Sequence, residues 1–102
     1  MAQRKMQSLM AQAQKMQRQL QTKMAELANQ EFEATKGGGV KVVLYGDRSV
    51  VEIDINEDLL EKENKEMVET MLILAFNECL EKIKEAEEKI NAEVTGGLPG
   101  GF

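Results

Sequence analysis

"GGGVKVVLYGDRSVVEIDI", residues 37–55, is the stretch that decides the fold. Val40, Val42 and Leu44 alternate with Lys41, Val43 and Tyr45, and Val51, Ile53 and Ile55 alternate with Val50, Glu52 and Asp54. A period of two with one apolar face is the pattern of a strand. Gly37–Gly39 and Gly46–Asp47 supply the turns around the first of these runs, as glycine suits tight reversals. Just upstream, Phe32 and Ala34 alternate with Glu31, Glu33 and Thr35, which gives a third strand. Connections this short imply antiparallel neighbours in the order 1-2-3. Three strands with one apolar face need a cover.

The cover lies downstream. "NEDLL" (56–60) reads as a short turn capped by Asn56, with acids in its first turn as the helix dipole prefers. A long helix is predicted from about Asn64 to Val94, with a seam of Val68, Leu72, Phe76, Cys79, Ile83, Ala86 and Ile90. Inside it, "MLILAF" (71–76) is apolar all the way round, and a helix apolar all round is buried all round. One small sheet covers one side only. The second side, carrying Met71, Leu72, Ile73, Leu74 and Phe76, is therefore the expected dimer interface.

Upstream of the sheet, residues 2–29 contain no Gly or Pro and are rich in Ala, Gln, Lys, Met and Leu, most of them good helix formers. Leu9, Ala13, Met16, Leu20 and Leu27 fall on a heptad rhythm, with Lys23 at the remaining seam position. Met6 extends the stripe backward and Met24 flanks it. Such a helix is about 42 Å long at 1.5 Å per residue. That outreaches any core a chain of 102 residues builds, so part of it is expected to project.

The organisation is thus a single α+β domain, α-β-β-β-α: a helical arm (1–29), a sheet (30–56), a helical segment (57–94) and a Gly/Pro-rich tail (95–102), expected to be flexible. A domain this small buries a modest core, which favours oligomerisation. One cysteine permits no internal disulfide and suggests a reducing, cytoplasmic setting. No apolar run is long enough to span a membrane, and the N-terminus lacks the continuous apolar core of a secretory signal.

Catalytic chemistry is not expected. The chain has no His, and the seam position of Cys79 makes it a packed apolar thiol rather than a nucleophile. "GGGVK" (37–41) lacks the spacing of a phosphate loop. No metal-ligand cluster is present, and no cofactor or small-molecule substrate is implied. Charge is the informative property. The first 25 residues hold five basic side chains and no acidic one, while the remainder holds 8 basic against 18 acidic, a net −10.

Four segments together resemble the YbaB/EbfC nucleoid-associated DNA-binding proteins of bacteria. "LMAQAQKMQRQLQTKMAELA" is similar to the Gln/Met-rich first helix of that family, and "GGGVKVVLYGDRSVVEIDINEDLL" to its strand signature. "KEMVETMLILAFNECLEKI", with Ala75, Phe76 and Asn77, resembles its last helix, and "GGLPGGF" its tail. Where the family commonly has Asp-Pro, this chain has Asn56-Glu57, which removes the φ restraint of proline at the strand exit. The resemblance implies a homodimer whose paired terminal helices project and are used on double-stranded DNA in the nucleoid.

Two uses of the basic arm stay open on the sequence. Arg4, Lys5, Lys15, Arg18 and Lys23 form the DNA-binding set if they contact phosphates, aided by the glutamines between them. Alternatively they simply pair with Glu81, Glu85, Glu87, Glu88 and Glu93 of the last helix, as flanking charges do in coiled coils. The second function that stays open is a dimeric coiled-coil protein–protein adaptor, without DNA binding, whose acidic surface repels nucleic acid.

Overall fold

The computed structural model describes residues 2–96, with side chains from Arg4 onward. Helix α1 runs Ala2–Ala28, strands β1, β2 and β3 run Glu31–Lys36, Val40–Tyr45 and Val50–Ile55, and helix α2 runs Lys65–Thr95. Two single 3₁₀ turns, Glu57–Leu59 and Lys62–Asn64, join β3 to α2. The tail from residue 97 onward, including Phe102, lies outside the described residues.

The sheet is antiparallel in the order β1-β2-β3. β1 pairs with β2 from Glu31↔Tyr45 to Lys36↔Val40. β2 pairs with β3 from Val40↔Ile55 to Val43↔Glu52, and then slips so that Leu44 faces Val50. The slip is a bulge at Val51. It interrupts the strict alternation of β3 and sets Val50, rather than Val51, beside Leu44 on the apolar face.

The core is the contact between that face and α2: Ala34, Val42, Leu44, Ala75, Cys79 and Ile83 are buried together, with Phe32, Leu72 and Phe76 against them. Cys79 Sγ lies 3.4 Å from the Val42 carbonyl oxygen and 3.5 Å from that of Phe32, and burial pushes its thiol pKa up. Cys79 is packing, in keeping with its seam position. The opposite face of the sheet is polar, with Lys41 Nζ 3.3 Å from Glu52 and 3.8 Å from Glu33 across the strands.

Two local devices fix the turns. Gly37 takes φ +60° and leaves room for the Met71 side chain, which lies against it. At the strand exit Asn56 Oδ1 accepts from the Asp58 N–H at 2.9 Å. Asparagine capping therefore starts the turn that leads out of β3.

α2 rests on β1 and β2 and leaves β3 largely uncovered. Ile53, on the same sheet face as buried Val42, is consequently 48% exposed, and Val50 is exposed as well. On α2, Ile73 is 60% exposed, and Leu74 and Leu80 are also open to solvent. A single chain therefore buries Ala75 but leaves much of "MLILAF" uncovered.

Candidate nucleic-acid interface

α1 packs beside the C-terminal half of α2, antiparallel to it. Its seat is at its own C-terminal end. Leu27 is buried, and with Lys23 it borders a cleft lined by Ala86, Ile90 and Glu93 of α2. The chain then turns directly into the sheet. The Gly46 N–H donates to the Gln30 carbonyl at 2.9 Å, and Gly46 lies so close to the Leu27 carbonyl that no side chain fits there.

Seam positions lose cover steadily with distance from this seat. Leu20 and Met16 are half-buried, whereas Met6 and Leu9, like Met10 beside the seam, are 61–64% exposed. The distal part of α1 therefore stands clear of the domain, and the molecule measures 75 × 24 × 14 Å. The N-terminus of α1 is its free end, so the positive pole of the helix dipole points outward.

The acidic helix α2 neutralises little of the arm. Lys23 Nζ meets Glu93 at 3.2 Å, and this is the only ion pair made by an α1 cation among the described residues. Arg4, Lys5, Lys15 and Arg18 make none there. Glu93 is the last acid of α2 before its end at Thr95, and the offset of the two helices leaves only Lys23 level with it. Other acids of α2 are used by the sheet. The Arg48 guanidinium grips Glu87 with two hydrogen bonds, of 3.0 and 2.7 Å, and holds that carboxyl below its ordinary range. Glu78 takes Lys36 at 2.7 Å and Lys82 at 3.5 Å, and its pKa is lowered chiefly by the Lys36 hydrogen bond.

Heptad phase sorts the cations of α1. Arg4 and Arg18 share one helix position two heptads apart, and Lys15 adjoins it, all opposite the apolar stripe. Lys5 flanks the stripe, and Lys23 sits in it. Arg18 also borders a shallow polar depression with Gln14, Gln17 and Gln21. The helix thus offers a cationic, amide-rich face along its free length and an apolar face behind it. Sequence reading identifies the five cations but not this division, nor the grip of Arg48 on Glu87; Arg48 adopts φ 74° in the β2–β3 turn. The positions of Arg4, Lys15 and Arg18 in the heptad are the available signal for the first.

Among the described residues no three His, Cys, Asp or Glu side chains form a group able to hold a metal ion. No helix there is long and apolar enough to cross a membrane.

Similarity to known proteins agrees with this architecture. The chain is 44% identical over 89 residues to a nucleoid-associated protein of Mycoplasmopsis pulmonis, covering 87% of this chain and 88% of that one. It is 38% identical over 100 residues to a nucleoid-associated protein of Clostridium kluyveri, covering 95% and 88%. The crystal structure of the uncharacterized protein HP0035 from Helicobacter pylori superposes with a TM-score of 0.67 at 21% identity, over 83% of this chain and 90% of that one, so the two share a fold. The profile of the YbaB/EbfC DNA-binding family matches residues 1–98, and the chain belongs to that family.

Proposed function

We propose that the protein is a non-enzymatic, nucleoid-associated DNA-binding protein of the cytoplasm that holds duplex DNA as a homodimer, mainly through phosphate contacts from α1. The observation that carries this reading is the exposed face of Arg4, Lys15 and Arg18, with Lys5 beside it, in a chain whose net charge is −5. Cations that make no ion pair among the described residues attract phosphate and release counterions whatever the base sequence. The names of the relatives point the same way. The dimer is supported by the apolar surface left open on β3 and α2, which includes Ile53, Ile73 and Leu74. Of the interface set Met71, Leu72, Ile73, Leu74 and Phe76, the exposed Ile73 and Leu74 are the members with most to gain from a partner, because Met71, Leu72 and Phe76 already pack within the chain.

The test is a gel-shift series on unrelated duplexes at two salt concentrations, with Arg4, Lys5, Lys15 and Arg18 all changed to Gln. Glutamine keeps helix propensity high, so the arm persists. Affinity should fall about tenfold or more at low salt, and the salt slope by roughly 0.9 for each phosphate that is no longer neutralised. Sedimentation equilibrium should give about twice the 11.4 kDa chain mass for both proteins. Unchanged DNA binding by the intact quadruple variant would leave the arm as a structural partner of α2, and absence of any shift by the native protein would favour an adaptor without DNA binding.

A further inference from the structure

We propose that the uncovered distal stripe of α1 pairs with the same stripe of a second copy of this chain, and that the pair turns its basic faces outward toward two separate DNA segments.

The stripe is one continuous seam: Met6, Leu9, Ala13, Met16, Leu20, Lys23 and Leu27. Its proximal half is already an interface, seated against α2 at Leu27 and Lys23. The distal half continues the same face with the same spacing, and Met6, Leu9 and Met10 stand in solvent. An apolar stripe at seam spacing gains by burial against a like stripe.

Charge decides what kind of helix fits. The positions flanking the distal seam are Lys5, Met10, Gln12, Gln17 and Gln19, with a single cation among them. An acidic partner helix would find little to pair with there, whereas a second copy brings the same neutral flanks and meets no repulsion. DNA is a poor occupant of the stripe, because a duplex held by Arg4, Lys15 and Arg18 lies on the far side of the helix. Pairing stripe to stripe leaves those three cations at the outermost positions of both helices. The two basic faces then point in opposite directions, the geometry of a bridge between duplexes rather than a grip around one.

Two heptads centred on an alanine bury little surface, so this pairing is weak between free molecules. Proteins carried side by side on DNA have a high effective concentration, and neutralisation of their cations by phosphate removes residual repulsion. Pairing should therefore strengthen on DNA. The bridging half of the proposal rests on the reading of α1 as the DNA-contacting helix; the pairing half does not.

The experiment uses single cysteines on the full chain, with buried Cys79 left in place as the background. Ala13 is the midpoint of the stripe, so a cysteine there meets its counterpart whether the helices run parallel or antiparallel, while Ala11 lies on the outer face. Ala13→Cys should cross-link with a short bifunctional maleimide several-fold better than Ala11→Cys, and better still with DNA added. Equal yields at the two positions in the presence of DNA would overturn the pairing. In parallel, capture of a free duplex by a bead-bound one should occur with the native protein. It should be lost in the double variant Leu9→Gln, Met16→Gln, which should still shift a single duplex. Bridging that survives in that variant would overturn the proposal. If the native protein shifts no duplex at all, the DNA reading of α1 fails, and the Ala13 to Ala11 yield ratio at high protein concentration without DNA still decides the pairing.

Discussion

The two ends of α1 carry the same heptad face to different environments. At the seat, Leu27 is buried and the Gln30 carbonyl is tied to Gly46. At the free end, Leu9 on the same seam is 62% exposed. Periodicity records only that a face is apolar. What covers it depends on where the neighbouring helix stops, and α2 stops level with Lys23. One end therefore contributes to folding, and the other is left free for partners. That difference separates variants that change stability from variants that change association.

The sharpest way to break this comparison is at Gly46. Its surroundings exclude even a methyl group, because the Leu27 carbonyl lies against it. Gly46→Ala must push the base of α1 off the sheet, and overpacking against backbone costs about 2 kcal/mol or more. For a domain of this size the melting temperature should fall by on the order of 10 °C. Leu9→Gln, on the free half, should shift stability by less than about 0.5 kcal/mol. Equal melting shifts for the two variants would mean that the arm is not free.

The next effect is chemical. Cys79 sits in the core with its thiol against two carbonyls and its pKa raised by burial. It should react with a thiol reagent only as fast as the core opens, whereas a cysteine at Ala11 on the arm should label within the time of the free thiol reaction. Cys79→Ala should cost on the order of 1 kcal/mol and leave DNA binding unchanged. Rapid labelling of Cys79 in the native protein would show that the sheet and α2 part readily in solution.

The legible parts of the molecule are those set by near neighbours in the chain. Alternation and turn residues locate three strands, and the Asn56 cap follows from residues two apart. The bulge at Val51 is hidden from sequence, because it is a shift of register against β2, and register belongs to the pair of strands rather than to β3 alone. The exposure of Ile53 is hidden for a similar reason: its apolar face is evident, but the placement of α2 over β1 and β2 is tertiary. The arm shows the same limit. Its five cations are plain in the sequence, while their freedom depends on the offset of α1 and α2, which brings Glu93 to Lys23 and leaves Arg18 beyond the end of α2.

That offset yields the smallest expected effect and the most discriminating one. Lys23 and Glu93 are both nearly half exposed, at 43% and 47%. Water and salt screen such a pair, and it contributes at most about 0.5 kcal/mol. Lys23→Gln should therefore melt almost as the native protein does. Its effect on DNA should be equally slight, since the ammonium is directed into the seam toward α2 rather than toward the outer face. Arg18→Gln, only five residues away but on the outer face, should lower the slope of log affinity against log salt by roughly 0.9. A ratio of slopes measured on the same duplex cancels differences in protein preparation. If Lys23→Gln lowers the slope as much as Arg18→Gln does, DNA reaches the seam face, and the division of α1 into a cationic outer face and an apolar inner one does not govern how DNA is held.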